Sequence, residues 1–428
     1  MEIVKGSDRR IEEIIKKVAD IPEEVENTVR EILKNVREQG DEALLEYTFK
    51  YDNASLRQSD LKVSPEEIKN AYSHIKEGFI SAAKRAKENI VSYHQRQLEN
   101  SWMIPQKNGV IMGQIVRPMR RVGIYVPGGS GTTPLVSSLL MAALPAKVAG
   151  VKEIAVCTPP DRTGEANPHI LVAADLIGLD EAYKVGGAQA IGALAYGTET
   201  IPRVDTIAGP GTIYTVAAKR QVYGTVGIDF LPGPSEVLII ADHTANPQFV
   251  VADMLAQAEH GESSMSIVIT TSKKVAEAVR DSIEDKKERF ERSALIEGSL
   301  EKHGAIVLVD SLDEAINIAN RIAPEHIGLM VENPYSFLGR LENVGSVYIG
   351  PYSPQAVGDY ASGSNHILPT GGTARFSSPL GVYNFLKRSS VVAYTKEGLA
   401  ELKDTVVKLA EVEGLSAHAH SVRIRFDE

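Results

Sequence analysis

The chain has 428 residues, of which 43 % are apolar and 24 % are charged, ordinary values for a globular protein. Lysine and arginine number 46 against 56 aspartates and glutamates, so the formal net charge is −10. This acidity argues against a nucleic-acid partner, because neutralising phosphates requires a basic surface. The single cysteine, Cys157, excludes an intramolecular disulfide and a cysteine-based zinc cluster, and it favours a reducing, cytoplasmic compartment.

The N-terminus and the apolar stretches predict neither a secretory signal nor a membrane partner. The first residues lack the apolar region and the small-residue cleavage site of a signal peptide. The longest apolar-rich stretch, 133–151, is interrupted by Pro145 and Lys147. It falls short of the ~20 apolar residues that a membrane-spanning helix needs.

Apolar residues at helical spacing predict that the first hundred residues are helical. One helix is expected over residues 9–20, a second ends near Gly40, and a third runs from about 66 to 98. At the other end of the chain, a helical tail is predicted from about 396 to 409.

From Arg121 onward, short apolar runs alternate with helical segments, as is typical of parallel strands that are buried on both faces. A first series precedes Ser235 and a second follows it, with Gly233 and Pro234 marking the crossing. The runs are 122–127, 153–160, 181–187, 204–210, 236–242, 266–272, 305–311, 326–333 and 345–350. The predicted fold is therefore α/β, with two Rossmann-like open parallel-sheet units and helical N-terminal and C-terminal extensions.

Three glycine-rich turns, at 127–134, 186–197 and 208–212, follow predicted strands of the first series. Ligands bind outside the carboxyl ends of parallel strands, so these turns favour a nucleotide or phosphate site. None is a complete G-x-G-x-x-G motif. Tight turns that need a positive φ are the plain alternative.

Two motifs pair a histidine with a second polar side chain. In QAEHG, Gln257 and His260 are three residues apart on a helix, so an amide oxygen and an imidazole can converge on one ion. An ordinary core or surface histidine is the alternative. Glu325 and His326 directly precede an apolar strand and suit a general-base couple, with an exposed loop pair as the alternative.

Two later segments are also rich in polar side chains. The stretch 358–375 brings Asp359 and His366 together with serines and an asparagine, as is typical of a site loop. The C-terminal segment contains Glu413 and His418, and a frayed surface tail is its default interpretation. The four motifs together supply nitrogen and oxygen donors that suit Zn²⁺ or a similar first-row metal.

In this order and at these intervals, the segments GPSEVLIIAD, QAEHG, APEHIGLM, GDYASGSNHILPT and EGLSAHAHS resemble those of histidinol dehydrogenase. The resemblance extends from the N-terminal helices to Arg425. It implies a zinc- and NAD-dependent four-electron oxidation of L-histidinol to L-histidine through L-histidinal, the last steps of histidine biosynthesis. It also implies an intertwined homodimer in which the C-terminal segment reaches the site of the partner subunit.

The resemblance assigns the site residues position by position. Glu325 and His326 would be the catalytic pair. One zinc ion per subunit would be bound by Gln257, His260, Asp359 and His418. The substrate would contact Ser235, Gln257, His260, His326, Asp359, His366, Glu413 and His418. NAD would contact Tyr125, Gln189 and Thr212, the last standing where the family pattern has asparagine. His420 matches no role in the family.

With these roles, four regions are expected along the chain. Residues 1–25 form a helical extension, and 26–120 with 236–375 form a first α/β unit that carries the metal and catalytic residues. Residues 121–235 form the second, NAD-binding unit. Residues 376–428 form an extension that completes the site of the partner subunit.

Two other functions stay open on the residues alone. A zinc-dependent hydrolase of an imidazole- or amine-containing small molecule would use zinc-activated water with Glu325 as base. It leaves the glycine-rich first series without a purpose. A non-catalytic binding protein with two α/β lobes is the second alternative, and the absence of a signal peptide argues against it.

Overall fold

The computed structural model describes residues 1–16, 21–129 and 133–427. The chain divides into two compact units, one formed by Met1–Gln97 with Arg120–Phe385 and the other by Leu98–Met119 with Leu386–Glu428. The end of the first predicted helix, at 17–20, and the middle of the first glycine-rich turn, at 130–132, lie outside the described residues.

The N-terminal part of the first unit is mostly helical, as predicted. Its helices are α1 (Arg9–Lys16), α2 (Glu23–Gln39), α3 (Asp41–Asp52), α4 (Pro65–Ala71) and α5 (Glu77–Gln95). Helix α2 ends at Gly40, whose φ of 57° suits glycine. The single helix predicted over 66–98 is wrong: α4 and α5 are separate because Ile75 and Lys76 have extended backbones.

A five-stranded parallel sheet follows, in the order β6-β5-β4-β7-β8. Its strands are β4 (Arg121–Tyr125), β5 (Glu153–Thr158), β6 (Ala182–Lys184), β7 (Thr206–Ala208) and β8 (Gly227–Ile228). The helices between them are α6 (Val136–Ala149), α7 (Pro168–Leu176), α8 (Gly187–Tyr196) and α9 (Ile213–Val222). Strand order third-second-first-fourth-fifth is that of a Rossmann sheet without its sixth strand.

A six-stranded parallel sheet repeats this order and adds the N-terminal strand at one edge, giving β1-β11-β10-β9-β12-β13. Its strands are β1 (Ile3–Lys5), β9 (Glu236–Ala241), β10 (Met265–Thr270), β11 (Gly304–Leu308), β12 (His326–Met330) and β13 (Ser346–Ile349). The associated helices are α10 (Pro247–Ala258), α11 (Lys273–Lys286), α12 (Ser293–His303), α13 (Leu312–Ile322) and α14 (Gln355–Tyr360). The two predicted open parallel sheets are thus confirmed, and β1 was not predicted.

The second unit holds an antiparallel sheet that the sequence analysis did not predict, in the order β14-β3-β2. Its elements are β2 (Trp102–Pro105), β3 (Ile111–Pro118), β14 (Leu386–Ala393), α15 (Lys396–Val412) and α16 (Ser416–Arg423). The frayed tail given as the default is wrong, because α16 is helical and packs on α15. An ion pair of Arg423 with Glu411 joins the two helices. Beyond the end of α16, the ring of Phe426 also contacts α15, with its centre 4.9 Å from the Lys403 ammonium.

Strands β4, β9 and β12 are buried along their whole length, as expected of strands covered on both faces. The free thiol of Cys157 lies in β5 inside this core, and burial raises its pKa, so it is poorly suited to nucleophilic chemistry. Among the described helices, none combines the length and the apolar character needed to cross a membrane.

Candidate active site at the amino edge of the six-stranded sheet

Glu325 and His326 meet at the start of β12, and both are only 4 % exposed. The chain enters the strand through Ala323, whose left-handed φ of 55° ends α13. A side chain at Gly345 would collide with the carbonyl oxygen of Glu325, so this neighbouring position needs glycine. The alternative of an exposed loop pair is therefore wrong.

The backbone of Glu236 holds both members of this pair. Its N–H donates to Oε2 of Glu325 (2.8 Å), and its carbonyl oxygen lies 3.0 Å from Nδ1 of His326. Because a carbonyl can only accept, Nδ1 carries a proton and donates. In neutral His326 the lone pair therefore lies on Nε2, which is buried and has no hydrogen-bond partner among the described residues.

Charges around His326 control its protonation. Burial lowers the pKa of His326, but the charges of Glu325 and Asp359 outweigh burial and raise that pKa to about 10. Oδ1 of Asp359 lies 3.5 Å from Nε2 of His326. Burial acts to raise the pKa of Asp359, and the nearby His326 more than reverses this, so that pKa is lowered. Removing negative charge from Asp359 would bring the pKa of His326 down towards that of a usable base.

Glu236 itself carries a second buried carboxyl group. Gly371 N–H donates to its Oε1 (3.2 Å), whereas Oε2 has no hydrogen-bond partner in the described parts of the chain. Burial, together with the charge of Glu325, raises the pKa of Glu236 to about 8. The side chain of Glu236 is thus mostly protonated at neutral pH.

Three of the predicted metal ligands belong to neighbouring segments of the first unit. Gln257 is fully buried near the end of α10, His260 follows that helix and is exposed, and Asp359 lies on α14. A hydrogen bond from Gln355 to Gln257 (2.9 Å) joins α14 to α10, and His260 lowers the pKa of Asp359 by its charge, in addition to the larger effect of His326. The described residues contain no cluster of three His, Cys, Asp or Glu side chains able to hold a metal. Of the predicted ligands, this unit supplies an amide, one imidazole and one carboxylate.

His366 is held by hydrogen bonds to two helices, α14 and α6. Its Nδ1 donates to the carbonyl oxygen of Asp359 (2.6 Å), so Nε2 accepts from Oγ of Ser138 (3.0 Å) on α6. Burial lowers the pKa of His366, which keeps the imidazole neutral. Ser235 immediately precedes β9, and its carbonyl oxygen accepts from Met265 N–H (2.9 Å).

The predicted NAD contacts lie at the carboxyl ends of the five-stranded sheet. Tyr125 ends β4, and its hydroxyl accepts from Gly187 N–H (3.1 Å) at the start of α8. Gln189 on that helix is 1 % exposed, and neither amide atom has a hydrogen-bond partner within the described ranges. Thr212 is exposed where α9 begins. Gly209 has a φ of 118°, and a side chain there would collide with the carbonyl oxygen of Tyr125.

A buried ion pair fixes the loop that carries Thr212. Lys219 and Asp229 form this pair with side chains 2 % and 1 % exposed. Lys219 Nζ donates to the carbonyl oxygen of Gly209 (3.0 Å), and Asp229 accepts from Gly209 N–H (2.9 Å). Both backbone polar groups of Gly209 are thereby held by charged side chains.

A cavity of about 590 Å³ lies where this loop meets the amino edge of the six-stranded sheet. Thr212 and Glu236 both line it, together with Gly233, Met265 and Gly371. The carboxyl end of one sheet and the amino end of the other thus open into one space. Glu413, His418 and His420 lie on the C-terminal helical segment of the second unit, and all three are exposed.

Comparison with known proteins identifies the family. The family model for histidinol dehydrogenase matches residues 16–426. The chain belongs to the histidinol dehydrogenase family. Histidinol dehydrogenase of Clostridium acetobutylicum is 52 % identical over 94 % of this chain and 93 % of that protein, and the enzyme of Bacillus thuringiensis is 50 % identical over 95 % and 94 %. A crystal structure of histidinol dehydrogenase from Elizabethkingia anophelis is 39 % identical, has a TM-score of 0.93 and covers 99 % of this chain and 97 % of that one.

Three residues of this histidinol dehydrogenase family member were missed by the sequence analysis. Glu236 directly follows Ser235 in GPSEV, so an unexplained acid at the head of an apolar run was the available signal. Gln355 and Ser138 had no signal, because their partners Gln257 and His366 are 98 and 228 positions away in the sequence.

Proposed function

We propose that this protein oxidises L-histidinol to L-histidine through L-histidinal, using zinc and NAD, in the last steps of histidine biosynthesis. Family membership over nearly the whole chain supports the NAD-dependent oxidation of histidinol. The observation that carries the assignment of the site is the buried Glu325–His326 pair, held by the backbone of Glu236 with Nε2 of His326 unpartnered among the described residues.

His326 is the proton acceptor of this proposal. The hydrogen bond from its Nδ1 to Glu236 leaves Nε2 as the only basic atom of the neutral ring. An alcohol placed at Nε2 can give up its hydroxyl proton there, and such general-base help is typically worth ~10²–10⁴-fold in rate. When Asp359 binds a cation, its charge no longer raises the pKa of His326, which favours the neutral ring.

Glu325 is the candidate for the second oxidation, in which an aldehyde must first add water. Its carboxylate is buried, accepts from Glu236 N–H, and lies 3.5 Å from Nδ1 of His326. A carboxylate fixed in this way can take a proton from water as the oxygen attacks the carbonyl carbon. His366, kept neutral, together with Ser235 and Glu413, would orient the substrate.

Zinc would be held by Gln257, His260, Asp359 and His418, a nitrogen and oxygen set that suits this metal. When bound, zinc fixes the imidazole of the substrate and polarises its reacting oxygen. The fit rests on the donor set of the first unit: Gln257 lies on α10, His260 directly after it, and Asp359 on α14, which a hydrogen bond from Gln355 to Gln257 joins to α10.

NAD would lie at the carboxyl ends of the five-stranded sheet, against Tyr125, Gln189 and Thr212. When bound, NAD accepts the hydride in each oxidation. The amide of Gln189 supports this placement, because neither its donor nor its acceptor has a hydrogen-bond partner among the described residues. The cavity beside Thr212 extends to Glu236, next to the catalytic pair.

A homodimer in which Glu413 and His418 act on the site of the partner subunit belongs to the same proposal. It is supported by where the proposed zinc ligands lie in the chain. Of the ligands that carry a charge or an imidazole, the first unit supplies His260 and Asp359, whereas His418 belongs to the second unit. A cytoplasmic location is proposed from the single, free Cys157.

The proposal is tested by following NADH absorbance after L-histidinol and NAD are added to the zinc-loaded protein. We expect steady NADH formation from the wild type. Replacing His326 with alanine should lower kcat by ~10²–10⁴-fold and change the affinity for histidinol much less. Replacing the exposed His243 with alanine is the control and should leave kcat unchanged. A hydrolase or a binding protein would form no NADH, and either would refute the proposal.

A further inference from the structure

The loop 361–367, which follows α14, rests on a helix of the other parallel sheet. Two consecutive residues of this loop, Asn365 and His366, contact α6, one of the helices that connect the strands of the five-stranded sheet. Nδ2 of Asn365 donates to the carbonyl oxygen of Met141 at 2.6 Å, and Nε2 of His366 lies 3.0 Å from Oγ of Ser138. Ser138 and Met141 are three positions apart, so they lie on the same face of α6. This face of α6 therefore anchors the loop at two adjacent residues.

The directions of the hydrogen bonds at His366 follow from its two partners. Nδ1 lies 2.6 Å from the carbonyl oxygen of Asp359, which can only accept, so Nδ1 carries the proton of the neutral ring. Nε2 is then the nitrogen with the lone pair, and the hydroxyl of Ser138 donates to it. Ser138 is only 3 % exposed, so this donor is buried. Both ring nitrogens of His366 are thus satisfied in only one tautomer and one orientation of the ring.

The carbonyl group that accepts from His366 belongs to the last turn of α14. Asp359 is the fifth of the six residues of this helix, and carbonyl groups in a last turn lack donors from their own helix. The imidazole of His366 supplies such a donor and so fixes the backbone at Asp359. Oδ1 of Asp359 in turn lies 3.5 Å from Nε2 of His326. A chain of hydrogen bonds therefore runs from α6 through His366 to a residue beside the proposed base.

We infer that Ser138 is a positioning residue of the proposed active site. Its hydroxyl holds His366 in the orientation that fixes the backbone of Asp359, so a helix of one sheet places a residue that serves the other. This inference rests on the proposed function, because Asp359 and His366 must act in the reaction for their placement to matter. Residues that orient the ligands of a metal site typically change metal affinity or activity by ~10–100-fold when they are replaced.

Three substitutions separate this hydrogen bond from the packing of α6. Ser138→Ala removes the donor and leaves Nε2 of His366 as an acceptor without its partner, which is costly away from water. Ser138→Thr keeps a hydroxyl donor at the same position and should preserve the contact. Ser81→Ala, the same change at an exposed position of α5, is the matched control.

The experiment combines steady-state kinetics of the zinc-loaded, full-length protein with NADH binding and hydrogen–deuterium exchange. Ser138→Ala should lower kcat/KM for L-histidinol by ~10–100-fold and leave the dissociation constant of NADH within about two-fold of the wild type. Amide exchange in the loop 361–367 should become ~10-fold faster, because the loop loses one of its anchors on α6. Ser138→Thr and Ser81→Ala should stay close to the wild type in all three measurements. If the alanine variant does not fold, Ser138→Cys, whose thiol is a weak donor, replaces it with the same expected directions.

A double variant tests whether Ser138 acts through His366. A residue that only positions another has no further effect once that other side chain is removed. Loop exchange in the double variant of Ser138→Ala with His366→Ala should therefore equal that of His366→Ala alone. Additive increases in exchange would contradict the inference, because Ser138 would then act on the loop by another route.

Two further results would overturn the inference. One is a folded Ser138→Ala variant with either the wild-type kcat/KM for L-histidinol or the wild-type exchange in the loop 361–367. The other is an equal loss of NADH affinity, which would assign Ser138 to the structure of α6 alone. Failure of the proposed function gives a different result, because the wild type itself would then form no NADH. In that case, exchange in the loop still decides whether Ser138 positions His366.

Discussion

Single atoms decide what the proposed catalytic pair, Glu325 and His326, can do. The backbone of Glu236 binds Glu325 through its N–H and His326 through its carbonyl oxygen. The first residue of β9 therefore positions the two side chains at the start of the neighbouring strand β12. The hydrogen bond from Nδ1 of His326 to the Glu236 carbonyl oxygen sets the orientation of the imidazole. The Glu325 carboxylate comes no closer than 3.5 Å to Nδ1. A backbone acceptor cannot lose its role through substitution, which makes the direction of Nε2 a property of the fold.

The Glu236 side chain gives this edge a pH-dependent stability. Its pKa is raised to about 8 in the folded chain, against roughly 4.3 when unfolded. The stabilising contribution of the protonated form is therefore complete below about pH 4 and is lost as the pH rises through about 8.

Glu236→Gln keeps an acceptor for Gly371 and removes the titration. In urea unfolding of metal-depleted protein, we expect the free energy of the variant relative to the wild type to rise between pH 5 and pH 9 by on the order of 1–3 kcal/mol. If the free energy of unfolding of the variant differs from that of the wild type by the same amount at pH 5 and at pH 9, Glu236 does not titrate in this range.

At the scale of elements, the two parallel sheets have the same strand order but present opposite ends to the site. Tyr125 and the loop before α9 lie at the carboxyl ends of the five-stranded sheet, where ligands of such sheets usually bind. His326 and Glu236 begin their strands, so they lie at the amino edge of the six-stranded sheet. Strand order alone therefore locates only half of the site.

The buried pair Lys219–Asp229 should be essential to the loop after β7. Lys219→Met leaves the carboxylate of Asp229 buried without its cation, and we expect a loss of about 3–5 kcal/mol in the free energy of unfolding. The double variant with Asp229→Asn should recover much of this loss. Arg220→Met, which removes a more exposed ion pair with Glu26, is the control at about 1 kcal/mol or less. If Lys219→Met and Arg220→Met lose the same free energy of unfolding in urea, the buried pair does not have this role.

Sequence patterns predicted the strands that are buried on both faces and missed the others for a physical reason. Strands such as β9 and β12 are continuous apolar runs. Trp102, Met103 and Ile104 of β2 are about half exposed, and β1 is three residues long, so neither shows a periodic pattern. Glu325 and His326 were found because the two residues are adjacent in the sequence and directly precede an apolar strand. Gln355 was not found, because its contact with Gln257 exists only once α14 meets α10.

At the scale of the whole molecule, the residues that the family resemblance assigns to the site are distributed over both compact units. The first unit contains His326, Asp359 and the loops proposed to bind NAD, whereas His418 lies on α16 of the second. If the second unit serves the partner subunit, activity belongs to the dimer, and each site combines residues from two chains.

Mixed dimers test this arrangement. Heterodimers of a His326→Ala chain and a His418→Ala chain, isolated through two different affinity tags, should contain one intact site. We expect about half of the wild-type turnover per dimer, although each variant homodimer is nearly inactive. A heterodimer as inactive as its parents would mean that His326 and His418 of the same chain form the site.

The most direct test of the central claim is the yield of NADH per L-histidinol consumed, measured at the end point of the assay with limiting histidinol. A single site that performs both oxidations should give two NADH per histidinol, with L-histidine as the product and no aldehyde trapped by semicarbazide. One NADH per histidinol, with the aldehyde accumulating, would contradict the proposed role of Glu325 in the second oxidation. No NADH at all would contradict the assigned function.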